Sequence, residues 1–261
     1  MVSVHERIAA LQHCLGQIES QLITVYFNSP GRTVETDRDW LAKQCHKEYW
    51  GGYRAARDAL EAALANDLAD ERIAALMRYS AEEFGHYQAF AEAFAALGDG
   101  KPPPLGQSRD ELDWPENRAL NQLRAAQQNE FGATGRRAYA LTEGGGGALY
   151  EVGAALPAQD HPANGVIAAA CRRVMEEERK HRELGSVDLP DAQASADLWR
   201  YLAAQIEPRL QMRNAQFGHQ WSTEHIRSLV RRKLAAAGAG EPTSPVPASI
   251  DTTQLGQPLP L

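Results

Sequence analysis

The sequence predicts an all-α protein built on one helical hairpin used twice, and three observations carry that prediction. First, five residues recur at a common offset of 95: Glu48, Gly51, Gly52, Glu83 and His86 reappear as Glu143, Gly146, Gly147, Glu178 and His181. Second, hydrophobic residues make up 43% of the 261 positions, in Ala-rich stretches that are poor in strand-forming runs. Third, the stretches are separated by breaks dense in Gly and Pro, above all Gly98-Asp99-Gly100-Lys101-Pro102-Pro103-Pro104.

In chain order, Ile8, Leu11, Leu15, Ile18 and Leu22 mark one apolar face of a helix from about Ser3 to Phe27, and Asn28-Ser29-Pro30-Gly31 ends it. A second helix, from about Val34 to Ala65, carries Glu48. Asp67 is suited to cap a third, which reaches about Leu97 and carries Glu83 and His86. Beyond the Pro-rich break, Ser108-Arg109-Asp110-Glu111 has the form of a capping box and opens a further helical stretch. A helix from about Thr134 to Leu156 bears Glu143, Pro157 to Pro162 interrupt it, and a helix from about Asn164 to Leu184 bears Glu178 and His181. Two more helical segments lie near Ala192–Phe217 and Thr223–Ala237. The five Pro between Gly238 and Leu261, set among Ser, Thr, Gly and Gln, read as a disordered tail. Residues 1–237 are thus expected to form one helical domain, with metal-binding repeats at about 34–97 and 134–185. The pattern is helix–helix, twice, with a long connection: a four-helix bundle with a crossover, plus extra N- and C-terminal helices.

Glu-x-x-His places a carboxylate and an imidazole on one face of a helix, where both reach a common metal. A lone Glu on the paired antiparallel helix adds a second carboxylate. With 21 Glu and 8 His in the chain, a single Glu-x-x-His carries little; the shared offset, with Gly-Gly following it, carries the signal. Glu48, Glu83, His86, Glu143, Glu178 and His181 therefore form the ligand set of a dinuclear centre. Oxygen donors with one imidazole per metal suit iron or manganese better than structural zinc. Glu83 and Glu178 are placed between the metals and Glu48 and Glu143 at their outer sides, with the inverse usage open.

These residues, in the order Glu48, Glu83-Phe84-Gly85-His86, Glu143, Glu178-Arg179-Lys180-His181, resemble the ferritin-like di-iron carboxylate superfamily over about residues 34 to 185. The resemblance implies a ferritin-like bundle, two iron ions (Fe/Fe, with Mn/Fe or Mn/Mn as variants) and oxygen chemistry. The reading that follows is a dioxygen-dependent oxidase or oxygenase acting on a small organic substrate, supplied by an unidentified electron donor. The alternative is iron handling, by ferroxidase or peroxide-scavenging activity, without an organic substrate.

Neighbouring residues refine these expectations. Gly51-Gly52 and Gly144 to Gly147 are costly within helices, at about 1 kcal/mol each relative to Ala. They imply close helix packing, a π-bulge, or space for a substrate beside the metals. Tyr79, Tyr87, Tyr139 and Tyr150 fall on or beside the ligand faces; Tyr139 and Tyr150 are the candidates for a catalytic role. Asp58 is a candidate outer partner for a metal-bound His. Cys45 and Cys171 read as small buried hydrophobes, and His46, two residues from Glu48, as a surface residue.

Other chemistries find no support. Gly-x-Ser-x-Gly, a Walker loop, His-Glu-x-x-His and a dinucleotide fingerprint are all missing from the sequence. A net charge of −7 opposes nucleic-acid binding. Three widely spaced cysteines, no apolar run of membrane length and no signal-like N-terminus lead to the expectation of a cytoplasmic protein with no membrane contact. A homodimer is compatible with all of this.

Overall fold

The computed structural model describes residues 4–65, 70–143, 147–184 and 192–236; within them the side chains at 4, 5, 7–9, 72, 131–143, 177–184, 192–197, 234 and 236 lie outside the description. Among the described residues there are nine helices and no strand, in keeping with the all-α class that the sequence predicts. They are α1 (Val4–Phe27), α2 (Val34–Ala65), α3 (Asp70–Ala96), α4 (Arg109–Leu112), α5 (Pro115–Glu143), α6 (Gly147–Ala154), α7 (Asn164–Leu184), α8 (Ala192–Gln216) and α9 (Thr223–Ala236). None of the described helices is long and apolar enough to cross a membrane.

A reciprocal cap starts α2. Thr36 N donates to Thr33 Oγ1 at 3.2 Å while Thr33 N donates to Thr36 Oγ1 at 3.0 Å, satisfying two donors that a helix start leaves open. The most extensive helix pairing is that of α2 with α3. Contacts fall at Arg38 with Phe94 and at Gly52 with Ser80, so the two helices run antiparallel. A second hairpin joins α6 to α7, held at its turn by Asn164 Nδ2 donating to Pro157 O at 2.7 Å. Gly153 makes that pairing close, since a methyl group there would collide with Cys171 Sγ. The hairpins touch through α3 and α7, and Tyr150 of α6 reaches α2.

Two main apolar clusters share α1. Its C-terminal half (Leu22, Ile23, Tyr26, Phe27) packs with Trp40, Leu41, Phe90, Leu149, Ile167 and Val174. Its N-terminal half (Leu11, Leu15, Ile18) packs instead with Leu198, Leu202, Ile206 and Leu210 of α8 and Ile226 of α9. Each fully buried Leu or Ile in these clusters contributes about 1.5–3 kcal/mol from burial.

Three expectations are corrected or fall outside the description. Ser108 makes no side-chain cap, and Glu111 accepts instead from Gln107 N at 2.7 Å; α4 ends after four residues. The helix bearing Glu143 starts at Pro115 rather than near Thr134, with Pro in the first turn where its missing N–H costs nothing. Among its described side chains the buried ones are mostly polar: Arg124 and Gln127 engage Gln205 and Tyr201 of α8, which hydrophobic periodicity does not register. Asp67, Gly144 to Gly146 and the tail from Gly238 lie outside the described residues.

Candidate metal centre

Glu48 on α2 and Glu83 and His86 on α3 come together inside the first hairpin. One ligand atom from each lies within 4.8 Å of the others, and all three residues are buried. Glycine makes this approach possible. A Cβ on Gly52 would stand 3.1 Å from both Glu83 Cβ and Ser80 O, and one on Gly51 would stand 3.3 Å from Glu83 Oε2. Ser80 Oγ donates to Gly52 O at 2.8 Å and locks the contact. Gly51-Gly52 thus serves close packing, and the residue packed against it is a metal-ligand candidate.

Two carboxylates buried side by side cannot both carry charge cheaply. Burial, then the charge of Glu48 and the hydrogen bond the two share, push the Glu83 carboxyl well above the usual range. Burial would raise Glu48 also, but Lys47, that same hydrogen bond and His86 outweigh it and hold its pKa at about 2. The pair therefore favours holding one proton between its two carboxyls, with Glu83 the weaker acid. A divalent cation removes the conflict, because it displaces the proton and neutralises both oxygens. Two carboxylates with one imidazole make a donor set that fits iron or manganese.

The surrounding side chains act mainly on one oxygen of Glu48. Gln44 Nε2 makes a short hydrogen bond to Oε1, Tyr150 OH donates to it at 3.2 Å and Lys47 Nζ lies 3.1 Å away. The other oxygen, Oε2, stands 4.0 Å from His86 Nδ1. Tyr79 hydrogen-bonds Glu83 one helical turn away. Tyr150 stacks on Phe90, with ring centroids 6.1 Å apart, which fixes its hydroxyl at the site. Of the four sequence-selected tyrosines, Tyr79 and Tyr150 touch the carboxylates. Tyr87 packs at the edge of the apolar core against Tyr49.

The second repeat is less visible. Glu143 lies at the end of α5 and Glu178 and His181 lie in α7, but their side chains and that of Tyr139 are outside the described residues. Asp58, expected to orient a histidine, is exposed and pairs with Arg57 at 3.1 Å. His46 is buried rather than at the surface: Trp50 and Trp114 flank its ring and Asp113 Oδ1 lies 4.0 Å from Nε2. The segment leading into α5 folds back over α2 and covers it, a long-range contact that helical spacing cannot reveal. Burial, then the charge of Arg109, lower its pKa to about 4. Cys45 and Cys171 are buried as expected, their thiols pushed up by burial.

Sequence reasoning gave no role to Gln44, Lys47, Arg213 or Gln216. Gln44 and Lys47 could have been suspected from their places four residues and one residue before Glu48. Arg213 and Gln216 carry no local signal, being some 170 positions from the residues they contact. A surface groove of about 250 Å³ between α3 and the Pro-rich break, bordered by Tyr87, Ala91 and Pro102, has none of Glu48, Glu83 and His86 in its wall. No family model matches the chain, and neither curated proteins nor solved structures include one that matches it.

Proposed function

We propose that this chain is a dioxygen-dependent oxidoreductase with a dinuclear, carboxylate-bound iron centre in a ferritin-like bundle, acting on a small organic substrate. The observation that carries the reading is the buried convergence of Glu48, Glu83 and His86, whose positions repeat at Glu143, Glu178 and His181. Glu48 and Glu83 with His86 would hold one metal, and the second copy of the motif would hold the other. When bound, such a pair of metals would supply two electrons to dioxygen, and the described half of the site is buried.

The protein's own part follows from its geometry. Lys47, Gln44 and Tyr150 fix Glu48 as an anion through Oε1. Metal entry would displace the proton that the Glu48–Glu83 pair shares, so binding would release a proton and strengthen with pH. Tyr150 OH, in contact with Glu48 Oε1, is placed to hold or pass a proton at that oxygen.

One observation favours iron handling as a second reading: Gly51-Gly52 is packed against Glu83, Ser80 and Phe84, which leaves no room for a substrate on that face. Anaerobic titration with Fe(II), followed by dioxygen uptake with and without an added reductant, separates the readings. The oxidase reading expects two Fe(II) per chain and repeated uptake sustained by the reductant. A single uptake matched to iron oxidised, with Fe(III) then released, supports iron handling. Failure to bind Fe(II), or full activity in Glu83→Ala or His181→Ala, sinks both.

A further inference from the structure

Glu48 Oε1 lies at the end of a buried polar chain that leaves the α2–α3 hairpin. Gln44 Nε2 donates to Oε1, and Gln44 Oε1 in turn accepts from Gln216 Nε2 at 2.7 Å and from Arg213 NH1 at 3.4 Å. Arg213 NH1 also donates to Gln216 Oε1 at 2.6 Å. Arg213 Nε stands 3.6 Å from Glu19 Oε1 of α1, which accepts from Arg209 Nε at 2.9 Å. Each of these six residues is at most 1% exposed.

The chain has a direction, set by chemistry. A carboxamide can point either way, and its orientation must be inferred from its partners. A guanidinium only donates. Arg213 therefore requires the oxygen of Gln216 on its side, which turns the Gln216 nitrogen toward Gln44. Gln44 then receives two donors at its oxygen and must present its nitrogen to Glu48. Burying charged groups between two apolar clusters is expensive relative to apolar packing, so the arrangement calls for a use.

We propose that Arg213 and Gln216, on a helix outside both ligand-bearing hairpins, are positioning residues for the metal-binding carboxylate of Glu48. They fix Gln44 as a donor, dedicate Oε1 to the protein and leave Oε2 facing His86 and the cation. The inference rests on the metal-centre reading above.

Co(II) titration of the full-length protein, followed optically and by competition, tests the two readings separately. Wild-type protein that binds no Co(II) overturns the metal-centre reading itself. Given binding, Gln216→Glu reverses the polarity of the chain: the new carboxylate attracts the Gln44 nitrogen and turns its oxygen onto Glu48. Co(II) affinity is expected to fall about 10- to 100-fold, the usual effect of losing an outer partner of a metal ligand. The ligand-field spectrum should shift as well, with helical content unchanged. Gln44→Met should give the same loss, and combining the two should add nothing, since both act through one hydrogen bond. If Gln216→Glu does not fold, Gln216→Met, which removes both ends of the amide, is read in its place with the same expectation. Unchanged affinity and spectrum in folded variants would overturn the proposal, as would losses that add in the double variant; a merely structural role lowers stability without moving either readout.

Discussion

Asp37 and Glu48 are buried carboxylates on the same helix, eleven residues apart and so on nearly the same face, yet they are built for opposite ends. Asp37 is saturated. Arg32 Nε donates to both its oxygens at 3.0 and 3.1 Å, Tyr26 OH and Trp40 Nε1 donate to Oδ1, and His161 Nδ1 stands 3.5 Å from Oδ2. Glu48 is saturated at Oε1, its Oε2 stands 4.0 Å from the His86 imidazole, and the Glu83 carboxylate lies beside it. A buried carboxylate surrounded by donors ties helices together. One that faces another carboxylate raises the free energy of the metal-free state and rewards a cation.

The largest effect expected from this difference is at Asp37. Removing it in Asp37→Ala strands the Arg32 guanidinium and should cost about 3–5 kcal/mol in urea unfolding. Glu83→Ala should leave the metal-free protein as stable or more stable, because it relieves the carboxylate pair. A Glu83→Ala cost comparable to that of Asp37→Ala would break the comparison.

Metal should then invert the ranking. At a free Fe(II) concentration one hundred times its Kd, wild-type stability is expected to rise by about 2.7 kcal/mol. Calorimetry should show no such gain for Glu83→Ala or His86→Ala. A gain that survives in both would place the metal elsewhere.

Gly52→Leu sharpens the point about packing. With Ser80 O and Glu83 Cβ already 3.1 Å from a would-be Cβ, overpacking should cost about 1–3 kcal/mol and push Glu83 out of register, lowering metal content. A variant of wild-type stability would show that α3 can shift freely.

The smallest effect concerns pH. In the metal-free protein the raised carboxyl of Glu83 contributes stability present below its unfolded value of 4.5 and lost as pH rises toward its folded value. Glu83→Gln lacks that loss, so its stability relative to wild type should grow from pH 5 to pH 8. The neutral, buried His46 acts oppositely, losing stability as pH falls from 6.5 toward about 4, but it is common to both proteins and cancels in the difference. A flat difference would mean that Glu83 is ionised in the folded state.

Local chemistry made much of the molecule legible. The starts of α2 and α7 fall at the expected Val34 and Asn164, because turn residues and Pro precede them. Glu83 and His86 were legible as a pair because three residues on a helix is a fixed geometry, and Glu48 because its repeat tied it to them. The polar buried face of α5 was not legible, since Arg124 and Gln127 look like surface residues until α8 covers them.

The sequence by itself determined the all-helical class and the types and spacing of the candidate ligands, since these are short-range consequences of side-chain chemistry and the helical repeat. Only the tertiary structure decided which partners complete them. His46 is buried because a distant segment covers it. Gln44 faces Glu48 because Arg213 and Gln216 arrive from α8. Gly51-Gly52 packs because α3 lies against it. Each outcome depends on residues remote in sequence whose proximity is set by how apolar faces pair, and no local pattern encodes that choice.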